Sequence, residues 1–479
     1  MEIVYQPYID PEFESLIERI YPPRVCIDND SCQDCTLVKV DSANKHGILL
    51  EMVQVLTDLD LVISKSYISS DGGWFMDVFH VTDQFGNKVA DESLLLYIQQ
   101  ALCPNRRRGA SKELQTCLRK EVRPRHVLME HTAMEMTGTN RPGLFSEISA
   151  VLVQLDCHVT AAAAWTHNNR VACIIYMEDG LKGGPITDPQ RLVHVEEQLD
   201  NVVEAHHGKG ERRSVRLTAP AAGQTHTERR LHQLMYADKD YEPCSGCNGG
   251  GSGHRNSCTK IHVSIESCKE KGYSVVNVRS LDRPKLLFDT LCALTDLQYV
   301  VFHAAVSSKG AMADQEYFIR QKDGCTLDTE GERLKLTQCL IAAVERRVSH
   351  GLRLDVRTHN RMGLLADITR VFRENGLSIS RAEIGTHGDT AIGSFYVTDS
   401  SGHDVNTHTI ELVREEIGGS VIVVNRSPIW TPKSSRTSST NSIRSSASSS
   451  LDEDKPRFSL GSLLWSQLEW LSGNFGSSI

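Results

Sequence analysis

The chain has 479 residues, of which 40% are hydrophobic and 24% charged, and its formal net charge is −9. That length holds three or four domains with buried cores, and the acidic balance argues against a protein that grips nucleic-acid phosphates. No apolar stretch is long enough to cross a bilayer, and the acidic start MEIVYQPYIDPEFESLIERI lacks a signal-peptide pattern, so the 14 cysteines are expected as thiols in cytoplasm or nucleus.

Residues 1–33 read as an N-terminal extension. A first unit, 34–115, opens with alternating Val38 and Val40, runs through Asn44-Lys-His-Gly47, and continues with Ile48, Leu49, Met52, Val55 and Leu56 at helical spacing. Strand patterns follow around Ile63 to Ile68 and from Trp74 to Val81. A second unit, 124–205, repeats the order: Met134 and Met136, Asn140-Arg-Pro-Gly143, then Leu144, Phe145, Ile148, Val151 and Leu152. Residues 206–272 read as a linker with a short helical stretch (Glu228 to Tyr236) and the run CSGCNGGGSGHRNSC.

The third unit, 273–349, has Val276 and Val278 before Asp282-Arg-Pro-Lys285, and its helical pattern breaks only at Thr290. The fourth, 350–426, has Leu354 and Val356, Asn360-Arg-Met-Gly363, then Leu364, Leu365, Ile368, Val371 and Phe372. A strand over Gly393 to Val397, a helix over His408 to Glu416 and a closing strand over Val421 to Val424 complete it. In the tail, 427–479, the stretch Thr431 to Ser450 reads as disordered and phosphorylatable. Phe458 to Phe475 reads as a short amphipathic helix carrying Trp465 and Trp470. Apolar columns held in register four times mark an internal repeat. Each unit reads β-α-β-β-α-β, an α+β ferredoxin-like plan with an antiparallel sheet and both helices on one face.

The chemistry lies in the turn from first strand to first helix. Free N–H groups at a helix start, beside the positive end of its dipole, suit a carboxylate. Gly143 and Gly363 permit close approach to the backbone, and the Asn140 and Asn360 side-chain oxygens can accept from an amino group. A structural reading of the same residues is equally direct. Asn or Asp caps a helix, Gly serves a turn, and Glu51, Glu147, Asp289 and Asp367 are acids favoured early in a helix.

The four loops resemble those of the ACT domain, a small regulatory βαββαβ module. Four copies in one chain resemble the plant ACT-repeat (ACR) proteins, whose domains are similar to those of the bacterial uridylyltransferase nitrogen sensor. The resemblance implies sheets paired between domains, within one chain or between two, and an amino acid held at the Asn/Asp-x-x-Gly-Leu loop between them. It assigns ligand binding to Asn140, Arg141, Gly143 and Leu144 and to Asn360, Arg361, Gly363 and Leu364. Asn44, Gly47 and Asp282 match more loosely, and Lys285 departs from the pattern. The function it implies is non-enzymatic regulation by a free amino acid, glutamine by analogy with the nitrogen sensor, passed on to partner proteins. A ligand-free scaffold is the competing reading.

Other constellations carry less. No phosphate-binding glycine loop, nucleophile elbow or dinucleotide fingerprint occurs, and neither Asp58-Leu-Asp60 nor His403-Asp404 makes a credible metal site, so neither an enzyme nor a cofactor is expected. Cys244, Cys247, His254 and Cys258 have zinc-ligand chemistry at a spacing that fits no common finger, and flexible-loop thiols are the simpler reading. Cys32-x-x-Cys35 reads as two thiols on opposite sides of a turn, and Arg106-Arg-Arg108 as a solvated basic turn. RNA binding by the sheet is disfavoured, because only Phe395-Tyr396 approaches the aromatic motif it needs.

Overall fold

The structure, a computed structural model, describes residues 24–43, 46–71, 73–102, 131–205, 208, 211–218, 226–242, 261–348, 351–418 and 420–424. Unit 1 comprises β1 (Arg24–Asp28), β2 (Thr36–Ala43), α1 (Ile48–Asp58), β3 (Val62–Asp71), β4 (Trp74–Thr82) and α2 (Glu92–Leu102). Unit 2 comprises β5 (Thr132–Thr139), α3 (Leu144–Gln154), β6 (Cys157–His167), β7 (Arg170–Asp179), α4 (Pro189–Glu204) and β8 (Ser214–Thr218). A separate helix, α5 (Thr227–Ala237), follows. Unit 3 comprises β9 (His262–Cys268), β10 (Tyr273–Leu281), α6 (Leu286–Asp296), β11 (Tyr299–Lys309), β12 (Met312–Gln321) and α7 (Glu330–Glu345). Unit 4 comprises β13 (Leu352–His359), α8 (Leu364–Glu374), β14 (Leu377–His387), β15 (Thr390–Asp399), α9 (Thr407–Ile417) and β16 (Ser420–Val424).

The strands form two eight-stranded antiparallel sheets, ordered β1-β2-β4-β3-β11-β12-β10-β9 and β16-β13-β15-β14-β6-β7-β5-β8. Unit 1 therefore pairs with unit 3, and unit 2 with unit 4. The seams are β3 against β11, where Tyr67 faces Ala305, and β6 against β14, where Ala164 faces Ala382. Each seam closes two strand edges that would otherwise expose unpaired backbone groups.

Two of the four units depart from the expected strand order. The strand beside β2 is β1, and the strand beside β10 is β9, and both precede the first strand of the repeat. They lie in segments read above as extension (1–33) and linker (206–272). The closing strand of unit 2, β8, also lies in that linker and pairs with β5. The physical reason is that each position beside the first strand must be filled, and whichever flanking segment is near can fill it.

Alternation places Val38, Val40, Phe79 and Val81 under α1 residues Leu50, Val53 and Leu56, all buried. The equivalent set in the other pair is Met134, Met136, Leu144, Ile148 and Leu152, with Val356, Ile368, Val371 and Phe372. Each such side chain contributes about 1.5–3 kcal/mol on burial. Where α3 meets α8, Ser149 Oγ and Thr369 Oγ1 share a buried hydrogen bond of 2.8 Å. The equivalent positions in the other pair hold Val53 and Leu291, both buried.

The segment read as a linker contributes an integral layer. Leu231 and Met235 of α5 join Ala133, Trp165, Ala172, Ile174 and Tyr176 in a core on the helix-free face of the second sheet. The Arg230 guanidinium donates to both Glu135 oxygens at 2.7 Å, fixing α5 to that sheet. The opposite side of α5 meets the helices of the first pair. There Arg229 reaches Asp296 at 2.9 Å and His226 reaches Asp58 at 2.9 Å. The Gly/Cys/Ser run with Cys244, Cys247, His254 and Cys258, the Arg106–Arg108 triplet and the C-terminal tail lie outside the described residues.

Candidate functional site

All four loops take one backbone form. Gly47, Gly143 and Gly363 stand immediately before their helices at φ of 86°, 81° and 78°, and Lys285 does so at 63°. This left-handed region is open to Gly and strained for other residues. No side chain caps these four helices. The expectation that Asn140, Asn360 and Asp282 serve as caps is therefore corrected. Their backbone N–H groups donate instead to Asn169, Asp389 and Ala311 carbonyls at 2.8, 2.8 and 2.9 Å, tying each loop to a hairpin tip. Asn44 lies outside the described residues.

The acids early in the helices also have a more specific role. The Arg141 guanidinium donates to both Glu147 oxygens at 2.8 and 2.5 Å. Arg283 pairs with Asp289 at 2.7 Å, and Arg361 with Asp367 at 2.5 Å. Each pair staples its loop over the first turn of the helix and holds the guanidinium beside the loop.

The fourth loop opens onto a cleft. Asn360, Arg361, Gly363 and Leu364 line a cleft whose empty space, open mouth included, is about 550 Å3. Unit 2 supplies the opposite wall through Ser149, Val153 and the stretch Cys157, His158 and Val159. Thr358 and Thr386 add hydroxyls, while Val356, Ile384 and Phe395 form an apolar floor. A Cβ on Gly363 would stand 3.6 Å from Val153 Cγ2, in ordinary contact across the seam between the two units. Burial pushes the Cys157 thiol up, and it lines the cleft uncharged.

In the corresponding loop of unit 2 the glycine is covered. A Cβ on Gly143 would meet Arg373 Cδ at 3.2 Å, so the long side chain of Arg373 covers that glycine. Leu144 is buried, whereas its counterpart Leu364 is half-buried. The first loop abuts the end of α6, where Thr295 Cγ2 would lie 4.0 Å from a Cβ on Gly47.

The third loop is filled by the chain's own carboxylate. Lys285 Nζ lies 2.9 and 3.0 Å from the two Glu228 oxygens of α5. Arg347 Nη1 donates to Glu228 Oε1 at 2.9 Å and its other nitrogens hold Asp289 at 2.6 and 2.7 Å. Burial alone would raise the carboxyls of Glu228 and Asp289, but Arg347 with Lys285, and Arg347 with Arg283, hold both well below the usual range. His232 Nε2 adds a third contact to Asp289 at 2.9 Å. The sequence offered a partial signal, an acidic helix in the linker, but not its destination.

A second cluster lies nearby. Arg346 donates to both oxygens of Asp240, which is fully buried and also reaches His167 Nδ1 at 2.9 Å. The aromatic reading fails on geometry: Phe395 sits in the core, and Tyr396 lies under the guanidinium groups of Arg353 and Arg381. Among the described residues no cluster of three His, Cys, Asp or Glu side chains could hold a metal, and no helix is long and apolar enough to cross a membrane.

Residues 31–109 match the ACR family N-terminal ACT domain, and residues 352–418 match the ACT domain. The chain is 57% identical to the ACT domain-containing protein ACR1 of Arabidopsis thaliana across the full length of both. It is 53% identical to ACR3 of the same plant, over 88% of this chain and 91% of the relative. A shorter match, 41% identical over 17% of this chain and 9% of the relative, is to the bifunctional uridylyltransferase/uridylyl-removing enzyme of Azospirillum brasilense. Four ACT-type units, paired sheets and full-length similarity together place the chain in the ACR family of ACT domain-repeat proteins.

Proposed function

We propose that this protein is a non-enzymatic regulator that binds one free α-amino acid in the cleft between units 2 and 4. The observation that carries the reading is the lining of that cleft, where the Gly363 loop of one unit faces α3 and β6 of another. The ligand carboxylate would meet the free N–H groups at the start of α8, with Arg361 beside it. Asn360, Thr358 and Thr386 offer oxygens for the ammonium group, and the ligand side chain would lie against Val153, Val159, Ile384 and Phe395. Glutamine is the first ligand to test, by relation to the nitrogen sensor. The apolar floor gives leucine, isoleucine, methionine and phenylalanine an equal place in the screen.

Binding at a seam between units favours the arrangement in which both walls are in place, and a partner protein would read that arrangement. The setting would be amino-acid or nitrogen signalling in the cytoplasm or nucleus. A thermal-shift screen with the twenty amino acids tests the reading, since a ligand that prefers the native state raises its apparent stability. A shift abolished by Gly363→Lys supports it, and no shift at millimolar concentration refutes it. At the third loop the scaffold reading is the better one, because Glu228 already fills the place a ligand would take.

A further inference from the structure

We infer that Cys32 and Cys35 form a thiol–disulfide exchange site, which takes low-molecular-weight disulfides such as oxidised glutathione. The spacing alone read as two thiols on opposite sides of a turn, and the geometry corrects that reading. Cys35 Sγ lies 3.2 Å from Cys32 Sγ and donates its S–H to it. A disulfide needs about 2.05 Å between the sulfurs, so the bond forms with a movement of roughly 1 Å.

The turn is held open-handed toward this pair by contacts that do not involve either sulfur. Asp28 accepts from the Asp30 and Ser31 N–H groups at 2.9 Å, and Asn29 donates to the Val89 carbonyl at 3.1 Å. Thr36 donates to Asn29 at 2.6 Å, which fixes the residue following Cys35. Cys32 is half-buried and Cys35 is buried, so an incoming disulfide meets Cys32 first. The two thiols are also differently poised. The hydrogen bond from Cys35, with the Asp34 backbone N–H, draws the Cys32 thiol down, while burial and the Cys32 sulfur push Cys35 up to about 12. A half-buried thiol made more acidic beside a sheltered, less acidic one is the division of labour that exchange requires.

The Cys32 thiolate attacks one sulfur of the glutathione disulfide, forming a mixed disulfide and releasing one glutathione thiolate. Cys35 then loses its proton to solvent and attacks Cys32 Sγ, expelling the second glutathione. The net change is oxidation of two protein thiols to one disulfide and reduction of one glutathione disulfide to two thiols. The bond would tie the middle of the turn between β1 and β2 to its last residue, where the sheet of unit 1 has its outer edge.

The test uses the full chain in a Cys26→Ser background, so that the tryptic fragment from Val25 to Lys39 carries only Cys32 and Cys35. The protein is equilibrated across ratios of reduced to oxidised glutathione, alkylated at neutral pH and analysed by mass spectrometry. The expected result is conversion of the doubly alkylated fragment to one lighter by two hydrogens than the dithiol. In addition, Cys35→Ser should trap one glutathione on Cys32, whereas Cys32→Ser should leave Cys35 unmodified. Fragments that stay doubly alkylated at every ratio, or glutathione trapped on Cys35 in the Cys32→Ser protein, would overturn the proposal.

Discussion

Lys285 Nζ stands 2.9 Å from Glu228 Oε1, and this contact turns one of four equivalent loops into a joint between the two halves of the molecule. Lys285 holds the left-handed conformation that glycine holds in the other three loops. Its side chain spans from unit 3 to a helix seated on unit 2. The loop gives up the space a ligand needs and gains a charge that fastens α5.

Lys285→Gly should therefore be a net loss despite easier backbone geometry. Relief of the left-handed strain returns about 1 kcal/mol, while loss of the ion pair leaves Glu228 with Arg347 alone. A double-mutant cycle with Glu228→Gln in urea should give a coupling of about 0.5–3 kcal/mol. Additive single effects would mean that the contact does not bind the halves together.

Asp289 is fully buried among Arg347, Arg283 and His232, so removing its charge takes the carboxylate from Arg283 and leaves Arg347 with Glu228. Asp289→Asn should cost about 3–5 kcal/mol in urea unfolding. Its folded-state carboxyl lies well below the unfolded value near 3.8, so its contribution is present above that pH and is lost as pH falls further. Below pH 4 the gap between native and Asp289→Asn proteins should narrow. A constant gap from pH 7 to 3 would contradict the assignment.

His167 gives the opposite sign. Burial favours its neutral form, but Asp240 at 2.9 Å and Glu345 at 3.2 Å outweigh burial and the opposing Arg346, and the pKa is raised. Its stabilisation is present below pH 6.5 and is lost as pH rises through the folded-state value. His167→Gln should thus cost most stability near pH 6 and progressively less toward pH 9, measured by urea unfolding at each pH. A deficit growing with pH would mean that the imidazole is neutral in the folded protein.

The sequence disclosed the four strand–loop–helix beginnings because their apolar columns recur in register, and it singled out Lys285 as the odd member. It could also have disclosed the staples, since Arg141 and Glu147, Arg283 and Asp289, and Arg361 and Asp367 occupy the same two columns of the repeat. The acids were instead read through the helix dipole, which explains an acid without requiring its partner. The pairing of unit 1 with unit 3 was not legible, because β3 and β11 meet through backbone groups that every strand carries. β1 and β9 were missed because RVCID and HVSIESC are short and weakly alternating. The role of α5 was hidden for a related reason. Leu231 and Met235 make a narrow apolar stripe that gains meaning only against the face around Trp165.

The cleft also separates two glycines that the sequence treated alike. Gly363→Ala and Gly143→Ala should each cost about 1–2 kcal/mol for the left-handed backbone. Gly143→Ala adds crowding against Arg373, so its thermal unfolding should lie lower. Equal unfolding temperatures would show that Arg373 moves aside without cost.

Titration of amino acids into the native protein and the Gly363→Lys protein, with calorimetry reporting binding and thermal unfolding reporting integrity, separates a ligand cleft from a scaffold. One or a few amino acids should bind the native chain and raise its unfolding temperature. Gly363→Lys should remain folded, as Lys285 shows a lysine can at this position, and lose at least about tenfold in affinity, or 1.4 kcal/mol. Undiminished binding by folded Gly363→Lys, or no binding of any amino acid to the native chain, would contradict a ligand cleft.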